Sequence, residues 1–415
     1  MTSGAGASSR TPAATQDEVR RHNLARLLRL VHVHGALSRS ELAAQTGLNR
    51  STVRTLTTAL ARCGLVRETH PPGRGYAGRP SIVVEPESRR VFALAIDIGA
   101  EHVIAARIGL GGLLLDRREV RQPRGAYEVA PMIGRLCELL AEVGSAAPPD
   151  ALCVGLGVGV CGVVRPEDGM VRYAPNLDWV DVPLGLLLAK ELGGDLPVAV
   201  RNEADLGVKA EHVRGVATGV RDVIYLSGEV GVGGGIILSG RPLTGVGGYA
   251  GEIGHMGVNP RGRRCRCGSR GCWETEVGED AVLLATGAPP GMELADVLLA
   301  HSAGAAWTRA GIRQVGHWLG VGIANLVNIF NPAMIVFGGA TRGLFPVTET
   351  TIREVLRTAL AAPRSQVLLT LPSLGADSAV FGAAELVLDP VLDHPFDAPQ
   401  RRPATSATSA TSAQY

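Results

Sequence analysis

Three cysteines and one histidine carry the densest chemistry in this chain. Cys265, Cys267 and Cys272 fall within eight residues, and His255 lies ten residues upstream. Gly268 and Gly271 allow the tight turns that bring three sulfurs onto one ion. One histidine and three thiolates fill a tetrahedral structural zinc site and leave no open position for a catalytic water. Seven cysteines in 415 residues are few for a disulfide scaffold, and such clustering points to metal. Cys63, Cys137, Cys153 and Cys161 are scattered and read as small core residues.

A second constellation lies near the N-terminus. Ser38-Arg39-Ser40-Glu41 is a capping box that opens a short helix with Leu42 and Ala43 on its buried side. Thr46-Gly47-Leu48 is a turn, and Asn49 can cap a following helix whose core face is Val53, Leu56 and Leu60. Two short helices joined by a glycine turn make a helix-turn-helix. Arg50, Ser51, Thr52 and Arg54 open the second helix with groups suited to base edges and phosphates. Pro71–Pro80 supplies glycines with Arg74 and Arg79, the composition of a β-wing lying on the DNA backbone or in its minor groove. Charge agrees. Residues 1–90 hold 14 arginines, no lysine and six acids, a net +8, while residues 91–415 are net −6. A basic module on an acidic body fits a polyanion bound by the module alone.

Elements must position these groups. The chain length suggests two or three domains, and 46% hydrophobic residues permit a sizeable core. A helical pattern starts at Asp17, with Leu24, Leu27, Leu28 and Val31 on one face. From Val91–Ile96 onward, strands (151–160, 198–201, 223–226, 334–337) alternate with helical stretches, including a long helix over 305–329, which implies an α/β architecture. Residues 1–16 and 400–415 are low-complexity and read as disordered. No apolar run reaches the length of a membrane span and the N-terminus lacks the core of a signal peptide, so a cytoplasmic location is expected, with no membrane partner.

Glu252-Ile253-Gly254-His255, followed by Cys-X-Cys-Gly-X-X-Gly-Cys-X-Glu from Cys265 to Glu274, resembles the signature of the ROK family of repressors, open reading frames and sugar kinases. The resemblance covers roughly residues 17–390. It implies an N-terminal winged helix-turn-helix on a two-lobed actin-like, ribonuclease-H-like domain of sugar-kinase type. The expected organisation is a tail over 1–16, the winged helix over 17–87, a first lobe over 88–205 completed by a C-terminal helix at 375–390, a second lobe with the zinc loop over 206–374, and a tail over 391–415. Asn331-Pro332 and Gly338-Gly339 resemble the family's nucleotide-side segment. The resemblance assigns sugar hydroxyls to Asn202, Glu203, Glu252, His255 and Glu274, with His255 shared between zinc and sugar.

Three departures concern phosphoryl transfer. Kinase members carry Asn-Asp where this chain has Asn202-Glu203. Glu can act as a base, but the added methylene displaces the carboxylate by more than an ångström, the scale on which phosphoryl transfer depends, and it is the three departures together that argue against ATP use. Asp97-Ile98-Gly99-Ala100-Glu101 and Ser227-Gly228-Glu229-Val230-Gly231 stand where kinases have phosphate loops, so Glu101 and Glu229 set negative charge against phosphates. Asn-Glu-Ala and Ser-Gly-Glu-Val-Gly resemble the xylose-repressor branch, which senses sugar without phosphorylating it. The expectation is a sugar-responsive DNA-binding regulator, a repressor of carbohydrate uptake or catabolism genes. It would bind an inverted-repeat operator as a homodimer or dimer of dimers and answer to a monosaccharide effector. A sugar kinase with an appended DNA-binding domain, or a zinc-dependent scaffold for a protein partner, are the competing expectations.

Overall fold

The structure, a computed structural model, describes residues 15–70, 81–125, 127–228 and 230–397. Arg74, Arg79 and Glu229, the wing at 71–80 and most of both expected tails lie outside the described residues. The chain divides into two compact units: residues up to Glu87 together with those from Asp389, and Ser88–Leu388.

In the first unit, α1 (Gln16–His34) starts at Thr15, which caps it, and buries Leu24, Leu27, Leu28 and Val31 as its spacing predicts. Strand β1 (Leu37–Ser38) leads into α2 (Arg39–Thr46). The capping box forms: Glu41 N–H donates to Ser38 Oγ at 3.2 Å and Ser38 N–H to Glu41 Oε2 at 2.7 Å. Gly47, at φ 71°, ends the helix in the left-handed region. Then α3 (Arg50–Arg62) begins where Asn49 Oδ1 accepts from Thr52 N–H at 2.8 Å, and Val53, Leu56 and Leu60 face inward. Strands β2 (Val66–Thr69) and β3 (Val83–Pro86) complete a three-stranded sheet in the order β1-β3-β2. Arg39 joins α2 to α3 and β2 by bonding Thr57, Thr58 and Glu68.

The second unit contains two five-stranded sheets of one pattern. The first runs β11-β7-β4-β5-β6, from β4 (Val91–Ile98), β5 (His102–Gly109), β6 (Leu113–Arg121), β7 (Leu152–Val160) and β11 (Val198–Asn202). Strands β4, β5 and β6 are antiparallel, and β7 and β11 continue the sheet in parallel. A smaller sheet of β8 (Val163–Arg165), β9 (Met170–Ala174) and β10 (Trp179–Val182) stands beside it, with α4 (Val129–Ser145), α5 (Leu184–Glu191) and α6 (Glu203–Arg214). The second large sheet runs β14-β13-β12-β15-β16, from β12 (Val223–Gly228), β13 (Val232–Leu238), β14 (Arg241–Pro242), β15 (Met334–Phe337) and β16 (Leu368–Thr370), again three antiparallel strands continued by two parallel ones. It is covered by α7 (Trp273–Val277), α8 (Glu279–Thr286), α9 (Leu294–Ser302), α10 (Arg309–Phe330), α11 (Thr341–Leu356) and α12 (Ala361–Arg364). The central strands are buried on both faces, which is why Val91–Ile98 and Met334–Phe337 read as nearly unbroken apolar runs.

Helix α13 (Ser378–Asp393) closes the fold. Its Gly382 and Ala383 lie so close to α6 and β7 that a Cβ at Gly382 would overlap the Leu206 carbonyl, and one at Gly157 the Ala383 carbonyl. Arg214 and Glu385 form an ion pair with side chains 9% and 1% exposed. Buried Glu211 accepts from Ser373 N–H, Leu374 N–H and the Ser378 hydroxyl.

Four expectations change. A lobe boundary at 205 would cut α6, a continuous helix capped by Asn202. The segment expected as a tail from 391 begins inside α13, where Arg29 binds Asp389 at 3.3 Å and Asp393 at 2.7 Å. The long helix starts at Arg309, after a 3-10 turn at Ala306–Thr308. Cys63 is exposed at the end of α3, and Cys137, Cys153 and Cys161 are only partly buried.

Candidate functional site: a polar cleft beside a cysteine–histidine cluster

Asn202 ends β11 and caps α6, so the strand-to-helix junction fixes it: its Oδ1 accepts from Ala204 N–H at 2.8 Å and its Nδ2 donates to the Gly162 carbonyl at 2.9 Å. Glu203 is the first residue of α6, and the Ser227 hydroxyl of β12 donates to its Oε1 at 3.0 Å. Glu252 precedes and His255 ends a 3-10 turn (Ile253–His255) whose Gly254 has no room for a Cβ against the Val232 carbonyl. Glu274 sits in the first turn of α7, and a Cβ at Gly231 would come 2.5 Å from its Oε2.

These five residues line one cavity of about 240 Å³. His255 divides its ring between two neighbourhoods: Nδ1 lies 3.6 Å from Glu274 Oε1 and 3.7 Å from Cys265 Sγ, and Nε2 lies 4.0 Å from Glu252 Oε2. Burial pushes the Glu252 carboxyl above its ordinary range; His255 opposes this and Glu274 adds to it. Asp205, third in α6, is held up at about 7 by burial and by the charge of Glu252, with Arg201 pulling the other way. Three carboxylates and an amide around one small cavity can accept hydrogen bonds from several hydroxyls at fixed angles, and a hydroxyl missing from the ligand would leave a group unpaired.

The ligating atoms of His255, Cys265, Cys267 and Cys272 all lie within 4.8 Å of one another. Cys267 Sγ and Cys272 Sγ are 3.7 Å apart. Thiolates sharing a tetrahedral ion at a metal–sulfur distance of about 2.3 Å stand roughly 3.8 Å apart, so the donor set fits one such ion.

Among the lining residues that the sequence did not single out are Tyr173, Asn176, Arg266 and Asp280. Tyr173 and Asn176 come from β9 and the loop after it, and Arg266, between two cysteines, donates to Asn176 Oδ1 at 2.9 Å. Arg266 was visible inside the cysteine motif; Tyr173 and Asn176 carry no local signal.

On α3, Arg50, Ser51 and Arg54 are exposed and Thr52 is half-buried. Among the described residues, the guanidinium groups of Arg50 and Arg54 have no hydrogen-bond or ion-pair partner. The Ser51 hydroxyl donates to Asn49 Oδ1 at 2.7 Å, so part of its capacity serves the cap. No helix among the described residues is long and apolar enough to cross a membrane.

A helix-turn-helix unit and a two-lobed α/β domain carrying this cleft define the class: a regulator-type module on a domain of the actin-like sugar-kinase fold. Residues 93–390 match the ROK family and residues 23–70 match the IclR helix-turn-helix domain; the chain belongs to the ROK family. The xylose repressor of Bacillus subtilis is 28% identical over 386 residues, 92% of this chain and 98% of the repressor. A crystal structure of a ROK family transcriptional regulator, a homologue of the E. coli MLC protein, superposes with a TM-score of 0.74 at 25% identity, covering 91% of this chain and 97% of that one. A ROK family glucokinase from Streptomyces griseus, solved with glucose and AMPPNP, gives 0.64 at 27% identity over 71% of this chain and 98% of its own.

Proposed function

We propose that the protein is a sugar-responsive transcriptional repressor that binds its effector without phosphorylating it. The observation that carries this reading is one chain holding both a helix-turn-helix with unpartnered Arg50 and Arg54 and the cavity of Asn202, Glu203, Glu252, His255 and Glu274, in a chain alike to a repressor over nearly its whole length. Arg50, Ser51, Thr52 and Arg54 face the major groove, and Arg74 and Arg79 of the wing contact the backbone or minor groove. A homodimer reads an inverted repeat. The monosaccharide donates hydroxyls to Glu203, Glu252 and Glu274, while Asn202 and His255 Nε2 orient it. His255, Cys265, Cys267 and Cys272 would hold one zinc ion in a structural role, where it supplies cohesion to the loop and no chemistry. Against phosphoryl transfer stand the longer Glu203 at the base position and the Ser227 hydroxyl engaged with it.

The sugar releases operator DNA only if it prefers the conformation that binds DNA poorly, since a ligand with equal affinity for both shifts nothing. The test is an operator-binding titration on the DNA flanking the protein's own gene, against a panel of aldoses, for the native chain and Glu252→Gln. The native complex should dissociate with one sugar, and Glu252→Gln should bind DNA equally and respond weakly. ATP-dependent turnover of any sugar at about 1 per second or faster would overturn the reading in favour of a kinase.

A further inference from the structure

Arg124 lies in the short segment between β6 and α4, and three carboxylates converge on it. Its Nε binds Glu101, its Nη2 binds Glu279, and its Nη1 binds Asp280 at 3.0 Å. Arg124 and Glu101 belong to the first large sheet: Glu101 sits in the turn between β4 and β5, and that turn is held to β6 because Gln122 Nε2 donates to the Gly99 carbonyl at 3.1 Å and Gln122 N–H to the Glu101 carbonyl at 2.8 Å. Glu279 and Asp280 open α8, whose Val282 lies in the core of the other lobe. Glu279 is nearly buried and also accepts from Leu294 N–H at 2.9 Å, so it is anchored to the start of α9. A weaker contact runs alongside, from Arg121 to Glu293 at 3.9 Å.

The cluster stands between two cavities. Asp280 lines the sugar-sized cavity with Glu203 and Glu274. Glu101 and Glu279 line a second one of about 690 Å³ with Gly339, Ala340 and Arg342, and Gly339 belongs to the segment that resembles the family's nucleotide side. A ligand's phosphates entering there would meet Glu101, Glu279 and Glu293 beside Arg121 and Arg342, while Arg124 is already committed to carboxylates. The lobes are joined at this point by the protein's own charges. Such a cluster orders one arginine for three bonds, and its near-buried member is little screened by salt.

We propose that Arg124, with Glu101, Glu279 and Asp280, is an ion-pair latch that bridges the two lobes where a nucleotide would otherwise do so, and that it sets effector affinity by holding the cleft at the approach that forms the sugar cavity. This rests on the sugar-binding reading above for its affinity readout. The latch is a positioning device: its residues act through the lobe spacing.

The test uses the full chain with a dye pair introduced through non-natural residues at Glu138 on α4 and Glu354 on α11, both exposed and one on each lobe. Arg124→Gln should lengthen and broaden the dye separation without sugar, and weaken the responsive sugar about tenfold, a size ordinary for coupling between two parts of one protein. Glu279→Gln, which removes a partner on the other lobe, should lengthen the separation in the same direction, and adding it to Arg124→Gln should lengthen it little further; fully additive lengthening would overturn the latch. Should Arg124→Gln fail to fold, Glu101→Gln, at a more open position, is read in the same way and should give a smaller change of the same sign. An unchanged separation overturns the latch. A changed separation with unchanged sugar affinity overturns its role in affinity. If the native chain binds no sugar, the sugar reading fails alone, and the dye separation still decides whether the latch exists.

Discussion

Asp205→Asn should make the protein more stable at neutral pH, by an amount that depends on pH. Asp205 is half-buried in α6, and burial together with the nearby Glu252 charge holds its carboxyl at about 7. In the unfolded chain an aspartate titrates near 3.9, so between about pH 4 and 7 the folded protein binds more protons than the unfolded one at this site. Stability therefore falls as pH rises through that window and levels off above it. A shift of about three units at 1.36 kcal/mol each gives a ceiling of roughly 4 kcal/mol, and solvent on the partly open side of the carboxyl reduces the expectation to about 2 kcal/mol. Asparagine has nearly the same shape and no charge to bury. The assay is urea unfolding of the native chain and Asp205→Asn, followed by fluorescence from about pH 5 to pH 8. The variant should gain little at the acid end and about 2 kcal/mol at the alkaline end. A difference that stays constant with pH, or a variant less stable than the native chain at the alkaline end, would refute the reasoning: the first would mean that no raised carboxyl exists there, the second that Asp205 is ionised and usefully paired.

Arg54→Ala should weaken operator binding at all sequences if its guanidinium meets phosphate, with the log–log salt slope falling by about one; loss confined to one base position would instead assign it a base edge. Cys267→Ser should lose the metal by elemental analysis and raise proteolytic cleavage near residues 262–272, because binding of a structural ion and local folding are coupled. Native protein purified without chelator and found metal-free would end the zinc assignment.

What was legible in the sequence was local. Ser38 and Glu41, three apart, announce α2, and Asn49 announces α3, because caps act within one turn. The strands at Val91 and Met334 are readable because burial on both faces leaves an apolar run. The cysteine motif placed four ligand atoms together because its spacing is short. What was not legible is pairing across distance. Arg124 meets Glu279 from 155 positions away, and Arg29 meets Asp393 from 364, which is why the end of α13 could be mistaken for a tail. No period or cap marks such partners. Glu101 shows the same limit: its charge was visible, and its partner was not.

The cleft gains coherence when its substitutions are taken together. Ser227 stands in the segment that resembles a phosphate loop of the family's kinases, and its hydroxyl donates to Glu203. A hydroxyl spent on that carboxylate is not offered to a phosphate. Glu203, longer than the aspartate of the kinases, reaches β12 from the start of α6 and takes that bond. On the far side of the cleft, Glu101 occupies another phosphate-loop position and is neutralised by Arg124, which reaches on to α8. Glu101 thus holds Arg124 within its own lobe, and Arg124 carries the link across to Glu279 and Asp280 on α8. On the non-phosphorylating reading proposed above, the lobes are held together by their own side chains, and the sugar in the smaller cavity is the ligand that alters their spacing. That is the arrangement a sensor needs: one variable contact, the sugar, acting on a cleft whose other contacts are built in.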